Sequence, residues 1–532
     1  TVIGETSATG NKYGIHTWGN SQFTAGDTLN MTAEAAGGTD GAFNASNINV
    51  SAQNAVIKGT SGGANGTGVK MDGNVTNTRE GGNLTITGTT TGSGAGSIGV
   101  NVLANLTTNG TGNLNITGKG AQGIGVNLTN KTLSGGNVTV TGTSGNSNGK
   151  GLDVSGTILN ATNGNIVLTG CMTGRNGGFG AHIHGGSRFT AKDNITITGY
   201  AMDGTNGGLN LNGGTFNATS TVLSGTSQNN NLGAKVGGMI TVSQGNLSLS
   251  GTANRVNSAP NVTGVVSDGT LSITVSSGAL NVSGKVNDTG NNATNAGTTR
   301  GLSLVNTTLN ATEVSLSGEV AGGRGGTGAS LTNTTINATT GNAALNATVA
   351  NGNALAVSGG NITAGKDISL TGTAKAGSGY GVSLTNGNMT ASSGNISLTG
   401  NAGISLSGSN MTAGKDLTIN NGDASLTVQN TTLNATAGNI SLTGNAGISL
   451  SESNMTAGKD LTINSDAGSL SLTNSDLNAT AGNIGLNATV ANGNALTVSG
   501  GNISAGKDIS LTGTAKTGSG YGVSLTNGNM TA

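Results

Sequence analysis

The chain has 532 residues, of which 99 are glycine and one is proline, with 8% charged residues and a formal net charge of zero. That balance excludes the basic footprint of a nucleic-acid partner, and no run of about 18 apolar residues exists to span a membrane. A single cysteine, Cys171, leaves no internal disulfide framework, and apolar positions at helical spacing are absent.

So much Gly, Ser, Thr and Asn raises disorder as the first alternative. The register of the apolar residues argues against it. Tyr13-Gly14-Ile15, Phe23-Thr24-Ala25 and Leu29-Asn30-Met31 already alternate in the pattern that continues along the chain. Asn83-Leu84-Thr85-Ile86-Thr87-Gly88 returns as Asn113-Leu114-Asn115-Ile116-Thr117-Gly118, as Asn137-Val138-Thr139-Val140-Thr141-Gly142 and as Asn194-Ile195-Thr196-Ile197-Thr198-Gly199. Alternation of this kind is the mark of a half-buried strand. Spacings here start at 24 residues, so some coils carry insertions, predicted as Thr/Gly/Ser-rich loops at Gly88 to Gly96 and Gly142 to Gly149.

Further along, the spacing tightens to 22. One apolar ladder runs Met389, Met411, Leu433, Met455, Leu477, and a second Val382, Ile404, Leu426, Ile448, Leu470. A third, Ile396, Leu417, Ile440, Leu461, Ile484, steps by 21, 23, 21 and 23. Three ladders with one period mean three faces that stack coil on coil. Gly and Asn punctuate the runs as tight corners require. The expectation is an all-β, right-handed parallel β-helix with three short strands per coil of about 22 residues and loop insertions. On the order of 20 coils at about 4.8 Å give a rod roughly 100 Å long. Residues 343–391 recur almost unchanged at 484–532, an offset of 141. The chain thus divides into irregular coils over 1–340 and near-identical repeats over 341–532, continuous with them. Neither end shows the polar cap that an open solenoid needs, which points to a segment of a longer protein.

The units Ala-Gly-Lys-Asp-Leu-Thr-Ile (413–419, 457–463) and Gly-Asn-Ile-Ser-Leu-Thr-Gly (394–400, 438–444) resemble the repeats of filamentous-haemagglutinin-type exoproteins, in particular the high-molecular-weight adhesins. The resemblance covers nearly the whole chain and lies in composition and period. The amino-terminal secretion domain of that family, with its Asn-Pro-Asn signature, is not in this sequence. The resemblance implies a secreted or cell-surface bacterial adhesin, exported through an outer-membrane secretion partner and attaching to a host cell-surface glycan or protein. The alternatives are the passive shaft of a contact-dependent toxin, or a β-helical polysaccharide-processing enzyme. The enzyme needs convergent carboxylates, whereas the 21 acidic residues here are mostly isolated, so no catalytic residue, cofactor or metal is assigned.

The chain contains 37 Asn-x-Ser/Thr sequons, among them Asn388, Asn395, Asn410, Asn434, Asn439, Asn454, Asn478 and Asn529. Alternation alone generates Asn-apolar-Thr at a strand edge, so the sequons can be a by-product of the fold. The resemblance implies hexoses on such asparagines, and these eight are the candidate glycosylation sites. Lys-Asp pairs at 192–193, 366–367, 415–416, 459–460 and 507–508 suggest a binding row. A simpler explanation is structural. Asp416 and Asp460 are separated by Asn439, so carboxylates recur on alternate coils, roughly 9–10 Å apart, which relieves like-charge stacking. His182 and His184 share an outward face. Aligning Gly151-Leu152-Asp153 with Gly180-Ala181-His182 places Asp153 one coil below His182 and Asn210 one above. Two imidazoles and a carboxylate can ligate zinc or form a solvated polar face. Trp18 is the only tryptophan and lies outward beside His16, where it can stack on a sugar or simply cover the surface.

Overall fold

The computed structural model describes residues 1–7, 13–37, 40–145, 149–174, 177–202, 206–229, 232–255, 261–288, 299–323, 325–377 and 379–532. Among them every regular element is a strand. Most strands pair in parallel with the third strand before and the third after, the pattern of a parallel β-helix in about 18 turns. The long strands Gly207–Ser227, Leu232–Arg255 and Thr263–Val275 bend round the coil, and each pairs with more than two others.

The three ladders are what hold it together. Met389 pairs with Met411, Met411 with Leu433, Leu433 with Met455 and Met455 with Leu477, and none is more than 1% exposed. Val382, Ile404, Leu426, Ile448 and Leu470 stack in the same way, as do Ile396, Leu417, Ile440, Leu461 and Ile484. Each buried side chain of this size contributes roughly 1.5–3 kcal/mol, and in a β-helix like sits on like. The outward residues between them, such as Ser397 and Thr399, are half-buried or exposed.

The chain forms two compact units, Thr1–Gly278 and Ala279–Ala532. In the first, the opening strand of each coil is long: Asn83–Thr90, Leu114–Gly120, Val138–Ser144, Ile166–Met172 and Asn194–Ala201. This corrects the expected insertions. Gly88 and Gly142 do not begin loops; both continue the ladder, Gly88 pairing with Gly59 and Gly118, and Gly142 with Gly118 and Gly170. The loop after the first is confined to 91–97, and residues 146–148 of the second lie outside the described residues. The reason is a close crossing. A Cβ on Gly88 would lie 1.9 Å from the carbonyl oxygen of Gly99, and one on Gly142 2.0 Å from that of Gly151. At these two crossings only glycine fits, whereas in the long strand Ala343–Asn351 of the second unit the same register position, between Gly318 and Gly372, is Ala347.

In the second unit the coils from Ile396 to Ile484 are shorter. Ile396–Gly400 and Ile440–Gly444 stop at their glycine, and a turn through Gly403 (φ 106) or Gly447 (φ 112) leads directly into the next strand. One corner per coil holds a left-handed residue: Asn386, Gly408, Asn430, Glu452, Asn474 and Gly500 occupy it in turn. The next residue is a buried hydroxyl. Ser409, Thr431, Ser453 and Ser475 each donate to the carbonyl two residues back, at 2.8–3.0 Å. Ser453 also accepts from the Thr431 amide at 3.3 Å, so these corners are tied between coils.

Candidate functional site

The outward faces are mostly Asn, Thr and Ser, and one place in the first unit departs from this. Strand Lys150–Ser155 pairs with Phe179–His184, setting Asp153 opposite His182 and Ser155 opposite His184. Asn210 pairs with His182 from the other side, so the expected alignment holds. Asp153 Oδ1 lies 2.9 Å from His182 Nδ1 and 3.2 Å from His184 Nε2. Asp153 Oδ2 accepts from Lys150 Nζ at 2.6 Å. The two imidazoles stack at 4.2 Å and 19°, and Phe179 stacks on His182 at 5.6 Å. Ser155 Oγ lies 3.4 Å from His184 Nδ1.

Burial alone pushes the Asp153 carboxyl up. The hydrogen bonds from His182 and Lys150, with the Lys150 charge, outweigh it and hold the group at about 2. Burial lowers His184, the neighbouring His182 lowers it further, and Asp153 opposes both. The cluster therefore presents an ionised carboxylate between two imidazoles, in reach of solvent: the His182 and His184 side chains are 18% and 33% exposed.

Lys150 and Phe179 were not legible from alternation. Gly151 and Leu152 are both buried, as are Gly180 and Ala181, so the strand slips by one residue and positions three apart share the outward face. Gly151 is forced to that position because a Cβ there would sit 2.2 Å from the Cys171 amide nitrogen. The signal was present in the recurring Lys-Gly-Leu-Asp and Phe-Gly-Ala-His frames. Cys171 lies on another strand, between Thr143 and Tyr200, and burial raises its thiol pKa.

The eight candidate asparagines fall into different settings. Asn395 and Asn439 are half-buried members of a corner ladder. The Asn395 amide nitrogen and Nδ2 donate to Asp367 Oδ1 at 2.7 and 3.1 Å, and its Oδ1 accepts from the Asp416 amide at 3.1 Å. Asn439 does the same between Asp416 and Asp460. The alternation of Asp with Asn is thus a hydrogen-bond chain in which each Asn amide supplies the donor that a carboxylate lacks. The Lys366, Lys415 and Lys459 side chains point away, exposed. The pair 192–193 differs: Asn194, not Asp193, holds the ladder position, donating to Asn165.

Asn388 and Asn410 form a separate, exposed row, Asn410 Nδ2 donating to Asn388 Oδ1 at 3.0 Å and Asn388 Nδ2 to Asn361 Oδ1 at 3.1 Å. Asn454 is exposed at the next equivalent sequon, two coils on, and Asn529 is also exposed. Asn434 is half-buried and Asn478 exposed; they alternate with Thr412 and Thr456 along a neighbouring row. Asn310, Asn337, Asn361, Thr363, Asn388 and Thr390 line an open trough of about 530 Å³. Near the start of the chain, Trp18 is 85% exposed and stacks on His16 at 5.2 Å, with Tyr13 edge-on to His16 at 4.5 Å.

These features define a parallel β-solenoid with neutral, amide- and hydroxyl-rich outward faces. No protein-family model and no curated protein matches the chain. Among the described residues, no helix is long and apolar enough to cross a membrane.

Proposed function

We propose that the chain is a non-catalytic shaft segment of a secreted bacterial adhesin, of the filamentous-haemagglutinin type that its repeats resemble. It holds a binding region away from the cell, or itself engages a host cell-surface glycan or protein weakly and many times. The observation that carries this is the outward Asn/Thr rows, which recur almost unchanged at a 141-residue offset on a stack of like strands. Such a surface multiplies any weak contact, so avidity can stand in for affinity. Zero net charge removes electrostatic capture and leaves hydrogen bonding, or sugar carried on exposed asparagines, as the means of recognition. Export through an outer-membrane partner belongs to the same proposal.

The test is deletion of residues 343–483, which joins 342 to 484 in phase, within the natural full-length protein. A spacer keeps its binding per molecule while a multivalent surface loses adherence steeply. Adherence that survives removal of all of 1–532 rejects both. Glycosylation is checked by the intact mass of natively secreted protein. The expected sites are the exposed Asn388, Asn410, Asn454, Asn478 and Asn529, with Asn395 and Asn439 bare because they are half-buried in a corner and their amides satisfy the Asp367 and Asp416 carboxylates. A mass equal to the polypeptide alone rejects modification.

A further inference from the structure

The Asp153 cluster is unlike the rest of its row. Asn101, Asn127, Asp153, His182 and Asn210 follow one another in register on adjacent coils, and the amide pair Asn127–Asn101 shows the ordinary link, 2.8 Å from Nδ2 to Oδ1. At Asp153 the amides give way to a carboxylate and two imidazoles, two of the three histidines in the chain. The donor atoms of Asp153, His182 and His184 all lie within 4.8 Å of one another.

We propose that Asp153 Oδ1, His182 Nδ1 and His184 Nε2 bind a divalent transition-metal ion of the zinc class, with at least one coordination position left open. Imidazole nitrogen and carboxylate oxygen are both good zinc ligands, and three protein ligands with an open fourth position are a stable arrangement. A tetrahedral shell of radius about 2.0–2.1 Å holds its ligand atoms roughly 3.3 Å apart. The two contacts to Asp153 Oδ1, 2.9 and 3.2 Å, are already near that spacing. All three atoms lie within 4.8 Å of one another, so closing the widest pair asks for at most about 1.5 Å of movement in part-exposed side chains.

The surroundings favour the ligand set. Lys150 occupies Oδ2 and leaves Oδ1 to the imidazoles. Coordination through Nε2 puts the His184 proton on Nδ1, where Ser155 Oγ can accept it. All three ligands stand on paired strands, which fix them better than a loop would. Lys150 is also the rival cation, and its removal gives the proposal a sign.

The experiment is calorimetric titration of the 532-residue chain with zinc chloride near neutral pH, in a Cys171→Ser background that removes the lone thiol as a ligand. One ion per chain is expected. His182→Gln and His184→Gln each weaken binding at least about 10-fold, His16→Gln leaves it unchanged, and Lys150→Met tightens it. A measurement free of the ligand variants accompanies this: zinc should protect His182 and His184, and not His16, from acylation by diethyl pyrocarbonate. No binding at millimolar zinc, full binding in the His182→Gln/His184→Gln double variant, or equal acylation of all three histidines with and without zinc overturns the proposal.

Discussion

Val138–Ser144 and Ile440–Gly444 are the same strand of the coil built to two lengths, the long form in the first unit and again at Glu313–Gly322 and Ile484–Asn492, the short form in the coils between Ile396 and Ser465. In the first unit the strand runs past its glycine and crosses the strand that follows, with two glycines face to face. In Ile396–Gly400 and Ile440–Gly444 it stops there and turns through a left-handed glycine. The long form adds one more inward position, filled by Ser144, Met172 or Ala201, and at Gly142 it makes a backbone contact that no side chain can enter. It also slips the alternation of the crossing strand, and this slip is what gathers Lys150, Asp153, Phe179 and His182 on one face. Among the described residues the short coils gather no such cluster of imidazoles and carboxylate, and their outward rows are built from repeated Asn, Thr and Ser. Uniformity suits a surface that works by repetition, while irregularity makes room for a particular site.

Six substitutions sharpen the contrast, each read as the free energy of denaturant unfolding. Met411→Asp should cost the most, more than about 4 kcal/mol, because it sets an unpaired charge between Met389 and Leu433 in the short-coil ladder. An unchanged midpoint would remove Met411 from the core. Gly142→Ala should cost about 3 kcal/mol, since its Cβ meets the Gly151 carbonyl oxygen at 2.0 Å. Gly444→Ala, whose Cβ meets the Ile448 Cγ1 at 3.2 Å and nothing else nearer than 3.7 Å, should cost under about 1 kcal/mol. Equal costs would break the distinction between crossing and turn.

Smaller effects test the corners. Asn439→Asp places three carboxylates in succession, with Asp416 and Asp460, and removes the amide that bonds Asp416. A loss of about 1–2 kcal/mol, reduced by salt, is expected. Asp416→Asn recreates the all-amide ladder of Asn113 and Asn137 in the first unit and should lie within about 0.5 kcal/mol of the parent. A salt-independent loss in Asn439→Asp would assign the cost to geometry rather than charge. Glu452 stands at φ 49 where its neighbours are Gly408, Asn430 and Asn474. Glu452→Asn should stabilise by about 0.5–1 kcal/mol, because Asn tolerates this conformation better. No gain would mean that Glu452 is held there by contacts of its own.

Alternation and a fixed period are local properties, written residue by residue, and they determined the strands, the three ladders and the parallel stacking. The sequence alone also placed Asp153 beside His182 and alternated Asp with Asn along a corner, since register on adjacent coils follows from alignment. What it did not contain was the meaning of the glycines. Whether Gly88 and Gly142 end a strand or continue it depends on how closely the following strand passes. That distance is set by the width of the coil. The same crossing decided that Lys150 and Phe179 face outward with Asp153 and His182, against the period of two. Tertiary structure likewise divided the sequons, because Asn395 and Asn410 share one local pattern, and only the neighbouring coils decide which amide is already spent in a hydrogen bond to a buried corner and which faces solvent.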